Sequence, residues 1–107
     1  MPPWLSQVLT RIHAFARTGK VRLTLKAQRE LAVVGLGLDI QDACDVLAGL
    51  RPGDSTGRLL SRSTGEWMYV FKPVVAETLV YVKVVLRSDC LVVSFHEDEG
   101  AGHEEDA

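Results

Sequence analysis

The sequence predicts an α+β domain in which three N-terminal helices pack on one face of a C-terminal antiparallel sheet. Three observations lead there. Apolar residues recur at three- and four-residue steps as far as residue 50, the period changes to two after residue 54, and Arg51-Pro52-Gly53-Asp54 marks a turn between the two regimes. A chain of 107 residues suits one domain of this kind. With 47% hydrophobic and 24% charged residues, wholesale disorder is excluded.

Each element has its own signal. Over residues 4–18, Leu5, Val8, Leu9, Ile12, Phe15 and Ala16 form one apolar stripe, and Gly19 ends the helix. Trp4 is expected to anchor its start and His13 to flank its buried side. Residues 21–24 read as a short extended piece, with Lys20 and Arg22 in solvent. Thr24 can cap a second helix over 25–34, carrying Ala27, Leu31 and Val34 on one face and ended by Gly35-Leu36-Gly37. Asp39 caps a third helix over 40–50, whose buried side is Ile40, Ala43, Cys44, Leu47 and Leu50. Strands follow at 58–62, 67–72, 78–87 and 91–96, the last two joined by a tight turn at Ser88-Asp89. Trp67, Tyr69 and Phe71 alternate and are assigned to the core.

Charge is unevenly spread. Residues 97–107 hold six acids and no Lys or Arg, so residues 1–96 carry all 12 basic residues against 8 acids. The expected division is a mildly basic domain over 1–96 and an acidic, disordered tail over 97–107. A net charge of −2 argues against nonspecific nucleic-acid binding but permits a local phosphate site. No apolar run approaches the ~20 residues of a membrane helix, and Met1-Pro2-Pro3-Trp4 lacks the pattern of a signal peptide. Cys44 and Cys90 are too few for a disulfide framework or a four-thiolate metal site and are assigned to packing. A cytoplasmic protein without membrane, metal or cofactor is the expectation.

The last hairpin allows a register argument. An even loop centred on Ser88-Asp89 pairs Leu86 with Leu91, Val84 with Val93 and Val82 with Phe95 on an apolar face toward the helices. The opposite face then pairs Val85 with Val92, Lys83 with Ser94 and Tyr81 with His96; an odd loop would slip the faces. His, Tyr, Lys and Arg on an open sheet face are the groups RNA cleavage needs: a base for the 2′-hydroxyl, cations for the phosphorane and an acid for the leaving 5′-oxygen. His96 belongs to the residue type that titrates near neutrality. Tyr81 can donate a proton or hydrogen-bond a phosphate oxygen, and Lys83, Arg58, Arg62 and Lys72 are candidate phosphate ligands.

Several stretches together resemble toxins of the MqsR family over residues 5–97. They are Gly19-Lys20-Val21-Arg22-Leu23-Thr24, Gly35-Leu36-Gly37-Leu38-Asp39, Cys44-Asp45-Val46-Leu47-Ala48-Gly49-Leu50, Trp67, Val80-Tyr81-Val82-Lys83 and Asp89-Cys90-Leu91-Val92-Val93-Ser94-Phe95. The resemblance implies a RelE-like α+β fold and metal-independent messenger-RNA cleavage. It also implies membership of a type II toxin–antitoxin pair, neutralised by a cognate antitoxin protein. The family's catalytic tyrosine matches Tyr81. Its lysine after the Ser-Phe pair is His96 here, its glutamine after the tryptophan is Met68, and its lysine before the second strand falls on Gly57, beside Arg58. The expected site is therefore Tyr81, His96 and Arg58 as catalytic groups, with Lys83, Arg62, Lys72, Ser94 and Met68 against the RNA. The substitutions keep a second reading open, a nuclease-dead relative that binds an antitoxin or regulator.

Overall fold

The computed structural model describes residues 1–32 and 38–98. The last residues of the second predicted helix, the Gly35-Leu36-Gly37 terminator and residues 99–107 of the acidic tail lie outside the described residues. Among the described residues, three helices and a six-stranded, mostly antiparallel sheet make an α+β fold, with the helices N-terminal to all but one short strand.

Helix α1 spans Pro3–Arg17 and buries Leu5, Val8, Leu9, Ile12 and Ala16. The chain leaves it through Gly19 at φ +73°, a left-handed conformation that glycine adopts without a Cβ clash. Strand β1 (Val21–Leu23) follows. Helix α2 (Leu25–Ala32) starts where the Thr24 hydroxyl accepts the Ala27 N–H at 3.0 Å. Helix α3 (Ile40–Ala48) is capped reciprocally: Asp39 accepts the Asp42 N–H and Asp42 accepts the Asp39 N–H, each at 3.0 Å. His13 donates Nε2–H to the Leu50 carbonyl at 2.8 Å, which ties α1 to the end of α3.

A single 3-10 turn at Pro52–Asp54 leads into β2 (Ser55–Leu60), β3 (Trp67–Phe71), β4 (Val74–Val75), β5 (Thr78–Leu86) and β6 (Cys90–Glu97). The strand order is β1-β6-β5-β3-β2, with β4 folded onto β5. The expected meander is present as β2–β3–β5–β6. The stretch predicted only as an extended piece adds a parallel edge strand, Val21 opposite Cys90. The core is Phe71, Val80, Val82, Val84, Cys90, Val92 and Phe95 of the sheet against the buried stripes of all three helices. Burying one such side chain is worth roughly 1.5–3 kcal/mol.

The final hairpin departs from the expected register near its turn. Leu86 pairs with Cys90, so the loop holds three residues and is odd. Leu86–Leu91, Val84–Val93 and Val85–Val92 do not form; Val84 faces Val92 and Val85 faces Leu91. A register shift then falls at Lys83/Val84, where Val93 is the extra residue on β6, and beyond it Lys83–Ser94, Val82–Phe95 and Tyr81–His96 pair as expected. Cys90 and Val92 therefore enter the core in place of Leu91 and Val93.

Cys44 and Cys90 are both buried and unbridged, and burial pushes the Cys90 thiol up to about 12. Trp67 is 41% exposed, contrary to its assignment to the core; only Phe71 of that alternating trio is fully buried. Arg22 is exposed, as expected, and pairs with Asp89 in the last turn.

Glu66, before β3, accepts two hydrogen bonds from Arg87 in the last turn, at 2.8 and 2.7 Å. These bonds hold the Glu66 carboxyl below its ordinary 4.5. A carboxyl depressed in the fold stabilises it above its unfolded value, and that stabilisation is lost as pH falls through the folded value. Glu66→Gln is expected to lower Tm at pH 7, with the gap from wild type closing below pH 4.5. A gap that persists in acid would mean that the carboxylate charge is not what holds this pair.

Candidate active site

The register decides which side chains share the face of the sheet away from the main core. Same-face neighbours across β3, β5 and β6 are Val70 beside Lys83, and Lys83 beside Ser94, followed by Tyr81 beside His96. Tyr81, Lys83 and Ser94 are buried at the base of this face, and His96 is partly exposed. Two adjoining clefts lie on this face. One, of about 140 Å³, is lined by Thr56, Gly57, Val70, Lys72 and Tyr81. The other, of about 310 Å³, is lined by Met68, Lys83 and Ser94 together with Lys26 and the loop before β3.

Tyr81 and His96 are in ring contact, with centroids 5.1 Å apart and planes 12° from parallel. His96 donates Nδ1–H to the Glu97 carbonyl at 2.8 Å, because a carbonyl can only accept. In the neutral ring this tautomer leaves Nε2 as the proton acceptor. Lys72 places its ammonium 5.9 Å from the Tyr81 ring centre and pairs with Asp98 at 3.4 Å. Asp98 also donates its N–H to the Leu79 carbonyl, so this acidic residue is fixed beside the site. Gly57, at φ +116°, sits at a register irregularity in β2 and brings bare backbone to the cleft.

Six of the eight expected residues share this face: Tyr81, His96, Lys72, Lys83, Ser94 and Met68. The other two are placed differently. Arg62 is exposed after β2 and lines neither cleft. Arg58 pairs with Tyr69 and thus projects to the helix side. Its guanidinium lies 3.9 Å from the Trp67 ring centre and 4.9 Å from that of Trp4. Arg58 nevertheless lines the smaller cleft together with Gly57, Leu59 and Tyr81. The slip of one position between Gly57 and Arg58 is enough to change faces.

Lys26 was not anticipated. It donates to the Ser94 hydroxyl at 2.9 Å and pairs with Glu30 at 2.9 Å, so α2 delivers a cation over the edge of β6. The i,i+4 pair with Glu30 was visible in the sequence; the contact with Ser94, 68 residues away, was not. Among the described residues, no three His, Cys, Asp or Glu side chains converge in a way that could hold a metal ion. No helix among them is long and apolar enough to cross a membrane.

Arg58→Ala is expected to cost about 0.5–2 kcal/mol of stability, the range of cation–π contacts. The check is a double-mutant cycle with Trp67→Leu. A coupling energy near zero would show that the Arg58–Trp67 contact does not stabilise the fold.

Comparison with known proteins identifies the family. Residues 6–97 match the family described as motility quorum-sensing regulator, toxin of MqsA. The mRNA interferase toxin MqsR of Escherichia coli (strain K12) is 32% identical over 90 residues, which span 83% of this chain and 90% of the relative. With the match running from α1 to the end of β6, the chain belongs to the MqsR toxin family.

Proposed function

We propose that this chain is the toxin of a type II toxin–antitoxin pair, a cytoplasmic endoribonuclease that cuts messenger RNA and is held in check by an antitoxin protein. Family membership and the name of the Escherichia coli relative support this activity. The observation that carries the site is the stacked Tyr81–His96 pair on the open sheet face, with Lys72 beside it.

In the proposed reaction, His96 Nε2 takes the proton of the 2′-hydroxyl, and that oxygen attacks the adjoining phosphorus. Lys72 and Lys83 offset the added negative charge of the phosphorane. Tyr81 hydrogen-bonds a phosphate oxygen or protonates the departing 5′-oxygen. The products are a 2′,3′-cyclic phosphate and a 5′-hydroxyl. Proton transfer and lysine charge account for each step, so cleavage is expected to survive chelation of divalent metal. The competing reading, a relative that binds an antitoxin without cutting, draws on Met68, which cannot move a proton, and on Arg58, whose guanidinium is engaged by the Trp67 ring.

The test is to induce wild type, His96→Ala and Tyr81→Phe in a bacterial host and map new 5′-hydroxyl RNA ends. Growth arrest with such ends, reduced roughly 10²-fold or more in His96→Ala, is expected. Soluble wild type that yields no ends would favour the non-cutting relative. A second test uses the Lys72–Asp98 pair. Asp98→Asn is expected to tighten RNA binding by up to about fivefold at low salt, the worth of a partly exposed ion pair. Lys72→Ala is expected to lower the slope of log affinity against log salt by about one. Unchanged values in both variants would remove Lys72 from the RNA contact.

A further inference from the structure

The larger cleft has a composition that phosphate binding alone does not explain. Its floor is aliphatic: Met68 from β3, Val85 from β5, and Leu91 and Val93 from β6. Leu91 and Val93 point here only because the odd loop and the extra residue at Val93 turn them out of the core. Met68 and Val85 are 3% and 5% exposed, so the accessible part of this floor is Leu91 and Val93, both partly exposed. A patch of this kind inside a cleft is a ready surface for an apolar ligand face, and a wall rises on either side. One wall is the loop before β3, with the hydroxyls of Ser61, Ser63 and Thr64. Ser61 is 6% exposed, and its Oγ accepts the Thr64 N–H at 3.3 Å and meets Ser63 Oγ at 3.2 Å, so this hydroxyl edge is held in place. The Glu66–Arg87 pair fastens that loop to the last turn. The other wall is Lys26, held on Ser94.

We propose that this cleft binds one unpaired nucleobase of the RNA, beside the phosphate that Tyr81 and His96 act on; the proposal rests on the ribonuclease reading above. A flat, weakly polar ring lies on the aliphatic floor, chiefly on the partly exposed Leu91 and Val93. The Ser61–Thr64 hydroxyls, which both donate and accept, meet the ring's polar edge. Lys83 and Ser94 form the passage toward the Tyr81–His96 pair. Each stands two residues from its neighbour in that pair, about 7 Å along the strand, a separation that one extended nucleotide can bridge. A volume of about 310 Å³ lies at the lower end of small-ligand sites and fits one base rather than a stacked run. The cleft is thereby the place where the enzyme distinguishes one base next to the cut.

The experiment is an NMR titration of the full-length chain, followed through methyl and backbone amide signals, with the four nucleoside 3′-monophosphates and, separately, with ribose 5-phosphate. The expected result is that Met68, Val85, Leu91 and Val93 methyl signals shift with nucleotides and not with the base-free sugar phosphate. Leu91→Glu, which puts a carboxylate on the apolar floor, is expected to weaken nucleotide binding by about fivefold or more. Thr64→Val removes one edge hydroxyl with little change of shape and is expected to change the ranking among the four bases. Nucleotide shifts confined to Lys72, Tyr81 and His96, or a ranking and affinity untouched by both variants, would overturn the proposal. Cleavage of RNA by the wild type is scored in parallel. Cutting with a silent cleft leaves the ribonuclease reading standing and sinks the base site alone, whereas a wild type that does not cut removes the reading on which the base site rests.

Discussion

Two one-residue irregularities in the β5–β6 hairpin cancel one another, and the open face depends on that cancellation. The three-residue loop slips β6 by one position against an even turn, and the extra residue at Val93 slips it back. Below the bulge, Tyr81 meets His96 and Lys83 meets Ser94; above it, Cys90 and Val92 fill the core while Leu91 and Val93 face outward. Because strand side chains alternate, one irregularity without the other would either bury His96 or place the core residues of the strand in water.

A bulge breaks the regular ladder and lets a strand bend, so its edge needs support. Helix α2 supplies that support. Strand β1 covers β6 only as far as Val92, and beyond that point the Glu30 carboxylate accepts the Phe95 N–H at 3.0 Å. One turn earlier on the same helix, Lys26 reaches Ser94. Glu30 therefore links the helix to the backbone of β6 and, through its ion pair, steadies the cation that borders the open face. The buried side of α2, Ala27 and Leu31, packs into the main core, so one short helix serves both faces of the sheet.

Much of this was legible because local chemistry and pattern agreed. The Asp39 and Thr24 caps, the stripe of α1 and the pairing of Tyr81 with His96 all follow from residue type and spacing. The failures have physical reasons. Cys90-Leu91-Val92-Val93 is apolar throughout, so its pattern carries no information about facing, and only Ser94-Phe95-His96 restores an alternation. Arg58 does line the smaller cleft, but its guanidinium is drawn to Trp4 and Trp67, contacts that local spacing does not encode. Trp67 looked like core by alternation and instead lies at the rim of β3, where Arg58 covers it. Lys26 and Asp98 reach the site through contacts remote in sequence, which no local pattern encodes.

The enclosure of Arg58 has a practical consequence for anyone who follows this protein by light. The chain has two tryptophans, and both lie against that one guanidinium, on the helix side of the sheet. Their intrinsic fluorescence is therefore a gauge of a single corner, where the start of α1 meets β2 and β3. It reports the fraying of that corner with high sensitivity. Events on the opposite surface, where Tyr81 and His96 stack, reach the indoles only through the thickness of the sheet, so a quiet emission spectrum is no sign that the open face is idle.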